Sequence, residues 1–538
     1  MAPMTRSGIF PTALLAILVL LAFSGVTENG FVPYDDDRYI TGNPTVRSGM
    51  SAAGLRWAFT SVGYASNWHP LTWLSHMADV QLFGLDSRRH HRTNLVLHLA
   101  GCLLLLHVLR SATGHPWRGF FAAALVAVHP LRVESVAWLA ERKDVLGFFF
   151  GMLTLAAWLR WLRRPGSWTR FAPLAGAYFA GLLSKPMLVL LPPLMLILAW
   201  WPLGVRWGPR QDVPGRRIPA VVLATASLLV PALAAAFVAW LAQRAGGGLL
   251  EQSAPPFGLR LANALVSVVA YLGKTMIPRG LSVFYPFPPA IAPGAVAASA
   301  MGVAVISVAA WHSRRRHPYV LAGWAWYLTA LLPALGLVPV GAQAMADRYT
   351  YFPSLGPAVA CVWLTAALVQ TRPVPKLAAA AGGAALILAM TPLTRAQVGV
   401  WRDGSTLFRH ALRVTRDNWQ IEHEYGVMLF NGKRYAEAEV HLREALRLQP
   451  DYVLARYNLA GALFWQGQPS AAEAEYREVL RRRPDFAEAH FRLARALAYQ
   501  GKQFEALSEY DEALRLEPNH AAAAAGRRKA LAATAPPR

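Results

Sequence analysis

Three adjacent carboxylates, Asp35, Asp36 and Asp37 in "FVPYDDDRYI", follow an apolar run long enough to enter a membrane. A second stretch, "HPLRVESVAWLAERKDVLGFFF", sets His129, Glu134, Glu141, Arg142, Lys143 and Asp144 at the ends of two apolar runs. "LLSKPML" adds Lys185, and "MADRYTYFPS" adds Asp347, Arg348, Tyr349 and Tyr351. Ionisable groups beside a bilayer are costly to desolvate, so they stay in water or serve a function. For the aspartates alone, a solvated turn is an equally good account. Taken with the cations, they suit one chemistry: moving a sugar from a lipid phosphate to a hydroxyl. A hydroxyl is a weak nucleophile, and an aspartate acting as general base helps it attack. A departing phosphate needs no acid but gains from Arg and Lys as its charge grows. A glycosidase differs in needing a protonated carboxylic acid.

These groups need a membrane framework. The chain is 55% hydrophobic and only 15% charged, against roughly 25% charged in soluble domains, and its mean hydropathy is +0.29. The net charge of +23 comes largely from arginines between apolar runs, where they orient spans, so it is not read as a nucleic-acid surface. Cys102 and Cys361 lie far apart in apolar stretches and give neither a disulfide framework nor a zinc site. Apolar runs able to cross a bilayer lie near 8–27, 93–112, 117–135, 144–162, 171–184, 187–204, 218–243, 293–311, 318–339, 354–370 and 375–394. The first is either a span or a cleaved signal peptide. Basic clusters at Arg110 and Arg118, at Arg160, Arg163, Arg164 and Arg170, and at Arg206, Arg210, Arg216 and Arg217 fall in alternate loops, as inside loops should. "HSRRRHP" at 312–318 joins them if 261–277 lies as an amphipathic or re-entrant helix on the outer face; the alternative is a twelfth crossing. Eleven crossings then put loop 28–92, loop 132–143 and everything after 395 on one outer side.

The C-terminal part is polar and repeats every 34 residues: "EALRLQPD", "EVLRRRPD" and "EALRLEPN" bring Pro450, Pro484 and Pro518 into register, with Ala438, Ala472 and Ala506 in phase. Gly426, Ala460 and Ala494 keep the same spacing. This is the tetratricopeptide (TPR) pattern of paired helices. It sets domains at 1–395 and 396–538, with a half-repeat near 401–416, repeats 419–452, 453–486 and 487–520, and a capping helix after His520. The expected fold class is all-α: a polytopic membrane domain followed by an α-solenoid.

The ordered set "YDDDRYI", "HPLRVESVAWLAERKDVL", "LSKP" and "DRYTYFPSLG", ending in TPR units, resembles the TMTC type, the transmembrane and tetratricopeptide repeat-containing proteins, and their bacterial relatives. The resemblance implies a GT-C fold glycosyltransferase taking a sugar, typically mannose, from a polyprenyl-phosphate carrier on the outer face of a cell membrane, the inner one in a bacterium. It places the paired acidic motif on Asp35 and Asp36, one of them the base, with Asp37 an extra acid. It places His129 and Glu134 in a substrate-binding segment, with Arg142 on the donor phosphate, Asp144 beside it, and Lys185 and Arg348 as further cations. At "SKP" many relatives have Ser-Lys-Glu, so Pro186 leaves this turn without an acid. No cofactor beyond the lipid-linked donor is implied; two aspartates would suit Mg or Mn, but no metal is expected. The expected partners are the lipid-linked donor, an acceptor protein or glycan, and proteins captured by the repeats.

Two other classes stay open at this level. A membrane-anchored TPR scaffold accounts for residues 396–538 but not for four charged loops. A polysaccharide ligase or polymerase would use the same cations on a lipid diphosphate. Trp68 and Trp73 in "NWHPLTWLSHMADVQLFGL" read as interfacial anchors, and His90 and His91 as a solvated helix start.

Overall fold

The computed structural model describes residues 6–163, 168–204, 217–246, 255–338, 341–371 and 375–534. It is all-α; among the described residues the strands are a two-stranded antiparallel pair, Tyr285–Pro286 with Gln343–Met345. The chain separates into two compact units, Met1–Leu407 and Phe408–Arg538.

In the first unit, six described helices are long and apolar enough to cross a membrane: Ile9–Glu28, Ser87–Thr113, Leu139–Leu162, Val221–Ala245, Pro293–Ser313 and Lys376–Val400. A seventh results if Pro116–Ala127 and Pro130–Ala137, bent by 60°, count as one broken span. The remaining apolar runs form shorter helices: Trp168–Ser184, Leu191–Trp200, Pro318–Leu331 and Leu355–Thr371. Of the basic groups that set the expected topology, Arg164, Arg206, Arg210 and Arg216 lie outside the described residues.

Proline explains where these runs stop. It lacks an N–H and forces the residue before it out of helical geometry. Lys185, before Pro186, is extended at φ −151°, ψ 119°. His129, before Pro130, is extended at φ −75°, ψ 137°, and its Nδ1 accepts from Leu131 N at 3.2 Å, capping the next turn. His69, before Pro70, departs in the same way at φ −146°, ψ 70°. The steps at Lys185 and His129 therefore end an apolar helix with a polar side chain at its end, and the one at His69 starts the helix Pro70–Phe83.

Small residues then let the helices close. A Cβ on Gly323 would meet the Gly356 carbonyl oxygen at 2.4 Å, so helices Pro318–Leu331 and Leu355–Thr371 touch backbone to backbone. Gly151 likewise leaves room for the Phe352 ring, and Gly147 for the Lys185 stem. The 261–277 segment forms the helix Phe257–Met276, which is not among the described helices long and apolar enough to cross a membrane. Its inner face packs Val268 and Tyr271 against Trp324 and Tyr327, while Phe257, Leu261 and Met276 stay exposed.

The second unit is a solenoid of helix pairs: Trp419–Asn431 with Tyr435–Leu448, Val453–Trp465 with Pro469–Arg482, and Ala487–Tyr499 with Gln503–Leu516, followed by Ala521–Thr534. Ala438, Ala472 and Ala506 are fully buried. The same bond recurs one period apart, Gln466 Nε2 to Glu439 Oε2 at 2.9 Å and Gln500 Nε2 to Glu473 Oε2 at 2.8 Å. A polar tie also joins His490 to Glu509 (Nδ1 to Oε2, 2.6 Å) and to the Pro484 carbonyl (3.0 Å). Burial opposes a charge on His490, but Glu509 outweighs it and raises the pKa above the ordinary 6.5. A folded value above the unfolded one means stabilisation that is complete below the unfolded pKa and lost as pH rises through the folded one. Amide protection in Gln503–Leu516 should therefore fall as pH rises above the ordinary imidazole range once intrinsic exchange is corrected, and His490→Gln should flatten that fall; an unchanged slope would refute the tie.

Candidate functional site

The aspartate loop is built against the turn that carries the second charged stretch. Asp36 is 1% exposed. Its Oδ2 accepts from Val32 N at 3.0 Å and its Oδ1 from Ala140 N at 2.8 Å. Trp138 Nε1 donates to the Tyr34 carbonyl at 2.7 Å, a second tie between the same segments. Burial pushes the Asp36 carboxyl up to about 8, although the two N–H donors work against the rise. Asp35 and Asp37 flank it on the exposed side, Asp35 in the left-handed region at φ 68°. Asp36 is thus an internal brace of the loop, and the three aspartates do not form one solvated cluster.

A chain of buried charges runs from this brace. Arg348 Nη1 meets Glu134 Oε1 at 2.5 Å and its backbone N donates to Glu134 Oε2 at 2.7 Å. Arg348 Nε reaches Glu141 Oε1 at 3.2 Å, and Lys143 Nζ reaches the same oxygen at 3.0 Å. Lys185 pairs with Asp144 Oδ1, whose Oδ2 accepts from Ser135 Oγ at 2.9 Å. Burial opposes the charge on Arg348, but Glu134 and Glu141 outweigh it and raise its pKa well above the ordinary value. Lys143 lies 4.8 Å over the Tyr39 ring, and Tyr39 stacks on His69 at 5.5 Å. Burial pushes Tyr39 up to about 12 and, helped by Lys143, holds His69 well below the usual imidazole value.

Arg142 is put to another use than the phosphate role expected of it. It is fully buried; Nη2 meets Asp79 Oδ2 at 2.6 Å, Nε donates to Asn94 Oδ1 at 2.8 Å, and the remaining donors reach the His90 and Ser75 carbonyls at 3.0 and 3.2 Å. Its fork pins three segments together and leaves nothing for a substrate. His90 and His91, expected in solvent, are both buried, His90 against the Gly84 carbonyl at 2.9 Å. Trp73, expected at an interface, is likewise fully buried, edge to face with Trp57 and Tyr64. His129 is a joint: Nε2 lies 3.0 Å from the Thr275 carbonyl. Asp347 accepts from Tyr285 Oη at 2.8 Å and from Ser282 N at 3.1 Å, and burial raises its pKa.

The structure brings Glu134, Asp144, Lys185 and Arg348 to one centre and leaves Arg142 and His129 behind it. Asp144, Lys185 and Arg348 line an open pocket with an empty volume of about 510 Å3, whose other walls include Leu191, Leu194, Ala330 and Phe352. A second, almost wholly apolar pocket of about 420 Å3 lies further along the same three helices, against Leu198, Gly323, Trp326 and Val359. From Leu191 to Leu198 the helix rises about 10 Å. Among the described residues, no group of three or more His, Cys, Asp or Glu side chains is arranged to hold a metal ion. Sequence reasoning did not single out Asp79, Asn94, Tyr39 or His69; "HMADV" carries Asp79 within an apolar helix, which was the signal available.

Two outcomes follow for these braces. Asp79→Ala strands the Arg142 charge and should cost about 3–5 kcal/mol, read as a large fall in the detergent Tm of the full chain. Asp36 has a folded pKa above its unfolded one, so the folded chain binds the extra proton between 3.8 and about 8 and stability falls as pH rises through that window. Asp36→Asn should flatten that dependence in Tm scans from acid to mildly alkaline pH.

Family models described as tetratricopeptide repeat match residues 429–497 and 487–520. The chain is 30% identical over 188 residues to the protein O-mannosyl-transferase TMTC1 of Mus musculus, covering 32% of this chain and 20% of that protein. It is 31% identical over 180 residues to Tmtc2, a protein O-mannosyl-transferase of Drosophila melanogaster, covering 31% and 19%. The chain therefore spans about a fifth of the length of these curated relatives. Among solved structures, the apo oligosaccharyltransferase of Archaeoglobus fulgidus overlaps 81% of this chain and 60% of its own at 12% identity and a TM-score of 0.39. Over about a third of its length the chain is thus similar to TMTC proteins, and it joins a helical unit containing six described helices long and apolar enough to cross a membrane to a C-terminal part matched as tetratricopeptide repeats.

Proposed function

We propose that the chain is a membrane glycosyltransferase that moves a mannose-like hexose from a polyprenyl-phosphate carrier to a hydroxyl of a protein or glycan. The observation that carries this reading is the shape of the site: a pocket headed by Lys185 and Arg348 whose apolar walls continue along three helices to a second apolar hollow. A charged head on a long apolar tail fits that arrangement, with the phosphate at the cations and the isoprenoid among Leu191, Leu198 and Val359. The likeness to protein O-mannosyl-transferases supports the sugar and the acceptor class.

In this reading the acceptor oxygen attacks the sugar C1 as the C1–O bond to phosphate breaks. Lys185 and Arg348 receive the growing phosphate charge; Arg348 Nη2 carries none of the bonds to Glu134 and Glu141 and is the donor left for it. Glu134 holds Arg348 through side chain and backbone, fixing its reach. The repeats recruit or orient the acceptor, and the active face and repeats share the extracytoplasmic side of a bacterial inner membrane.

The test is transfer from radiolabelled polyprenyl-phosphate mannose by the full chain in vesicles. Lys185→Ala and Arg348→Ala should each lower kcat by about 10²-fold or more. Ile197→Trp, which fills the apolar hollow, should raise KM for a long-chain donor and leave a short-chain analogue unchanged. Equal effects on both chain lengths would remove the groove from the site.

A further inference from the structure

In the repeat unit an arginine that is partly withdrawn from water has a carboxylate beside it, with one exception. Four of its arginines are half-buried among the described residues, and three are paired: Arg456 with Glu475, Arg482 with Glu478 and Arg492 with Glu488, each at 2.7 Å. Arg495 is the fourth. Its guanidinium lies over the rings of Phe464, Trp465 and Phe491, with Cζ 5.3, 5.5 and 5.8 Å from their centroids. Ring faces attract a cation without supplying the lone pairs that its N–H groups need. Among the described residues no carboxylate pairs with Arg495. Because it is half-buried and not enclosed, its donors remain within reach of a ligand.

The surroundings suit one kind of ligand. Arg495 lies in the helix Ala487–Tyr499, one turn after Phe491, while Phe464 and Trp465 close the helix Val453–Trp465 of the repeat before. Trp465 is 49% and Tyr499 71% exposed. Phe464 joins them, its ring centroid 5.6 Å from that of Trp465 and 5.8 Å from that of Tyr499. Trp, Tyr and Arg are the side chains that most often dominate binding energy at protein interfaces. The rings cover apolar groups, and the planar guanidinium matches a carboxylate with two parallel bonds.

We propose that this patch binds a peptide segment through a carboxylate, which pairs with Arg495 while the apolar side chains next to it cover Trp465 and Tyr499. One guanidinium set among rings matches a single negative charge. A phosphate group, at about −1.5 to −2, is best met by an arginine cluster, and the neighbouring Arg492 is already spent on Glu488. This rests on the reading that the repeats recruit the acceptor, and it gives that acceptor a chemistry: a protein with an acidic, partly apolar segment.

The experiment applies the full chain in detergent to an array of random dodecamer peptides, made with free and with amidated C-termini. Peptides bound by wild type should be at least threefold enriched in carboxylates over the array. Enrichment confined to free C-termini assigns the carboxylate to a chain end, and enrichment that survives amidation assigns it to Asp or Glu; both support the site. Arg495→Gln should lose the enrichment. Arg495→Lys keeps the charge and should retain most of it, which a misfolded repeat unit would not do. Trp465→Ala should bind the same peptides at least fivefold more weakly. No peptide bound, no enrichment in wild type, or the same enrichment in Arg495→Gln overturns the site. A bound peptide extended by a serine then serves as acceptor in the vesicle assay, where Arg495→Gln should raise the acceptor KM at least tenfold with kcat and donor KM within twofold. An unchanged acceptor KM overturns recruitment through Arg495. Absence of transfer by wild type from any polyprenyl-phosphate sugar, with the array preference intact, overturns the glycosyl-transfer reading and leaves the peptide site standing.

Discussion

The polar centre of the membrane unit depends on one buried ion pair, Arg348 with Glu134, 214 residues apart in sequence. Removing charges from water is expensive, and a buried pair persists only where hydrogen bonds satisfy most of what remains. Glu134 meets that condition with two bonds to one residue, and Arg348 extends the chain to Glu141 and thence to Lys143. The pair therefore fixes how the broken span Pro130–Ala137 and the turn Asp347–Thr350 meet. Leu131, Val133 and Val136 are fully buried, so the apolar packing of the first segment and the ion pair act together to hold the two segments in place.

Proline makes such a centre possible inside an apolar framework. A continuous helix satisfies its own backbone and offers a membrane only side chains, whereas a helix stopped at His129 or Lys185 frees backbone groups that must find partners. Those partners are the polar side chains themselves: His129 caps its own turn, and Asp36 receives two N–H groups. Thr72 Oγ1 reaches the Ser184 carbonyl at 3.0 Å, closing another interrupted end. The same residues that read as reactive groups are thus also what makes the interruptions tolerable.

This double duty explains what the sequence disclosed and what it hid. The repeats were fully legible because a 34-residue period states which small positions meet, and Ala438, Ala472 and Ala506 are buried as that period requires. The apolar runs were legible as helices, but their lengths were not always: the expected run 117–135 crosses Pro130, where the helix does not. The charged loops were legible as a group. Individual roles were not: nothing in "AERKD" tells Arg142, spent on Asp79 and Asn94, from Glu141, with an oxygen to spare. That difference lies in long-range partners, which spacing does not encode.

The contrast between Arg142 and Arg348 shows what separates two buried cations of one polar centre. Both are buried, and both touch carboxylates, so charge and burial alone do not rank them. Arg142 has its donors taken by a carboxylate, an amide and two carbonyls, a geometry that would have to be dismantled before a phosphate could bind. Arg348 is held on two sides of its fork and borders the pocket. Dismantling the first would leave several buried groups unpaired, at about 1–3 kcal/mol each, whereas the second can add a partner without losing those it has. A fixed guanidinium with one donor to spare is also the better electrostatic catalyst, because it needs no reorganisation when charge develops.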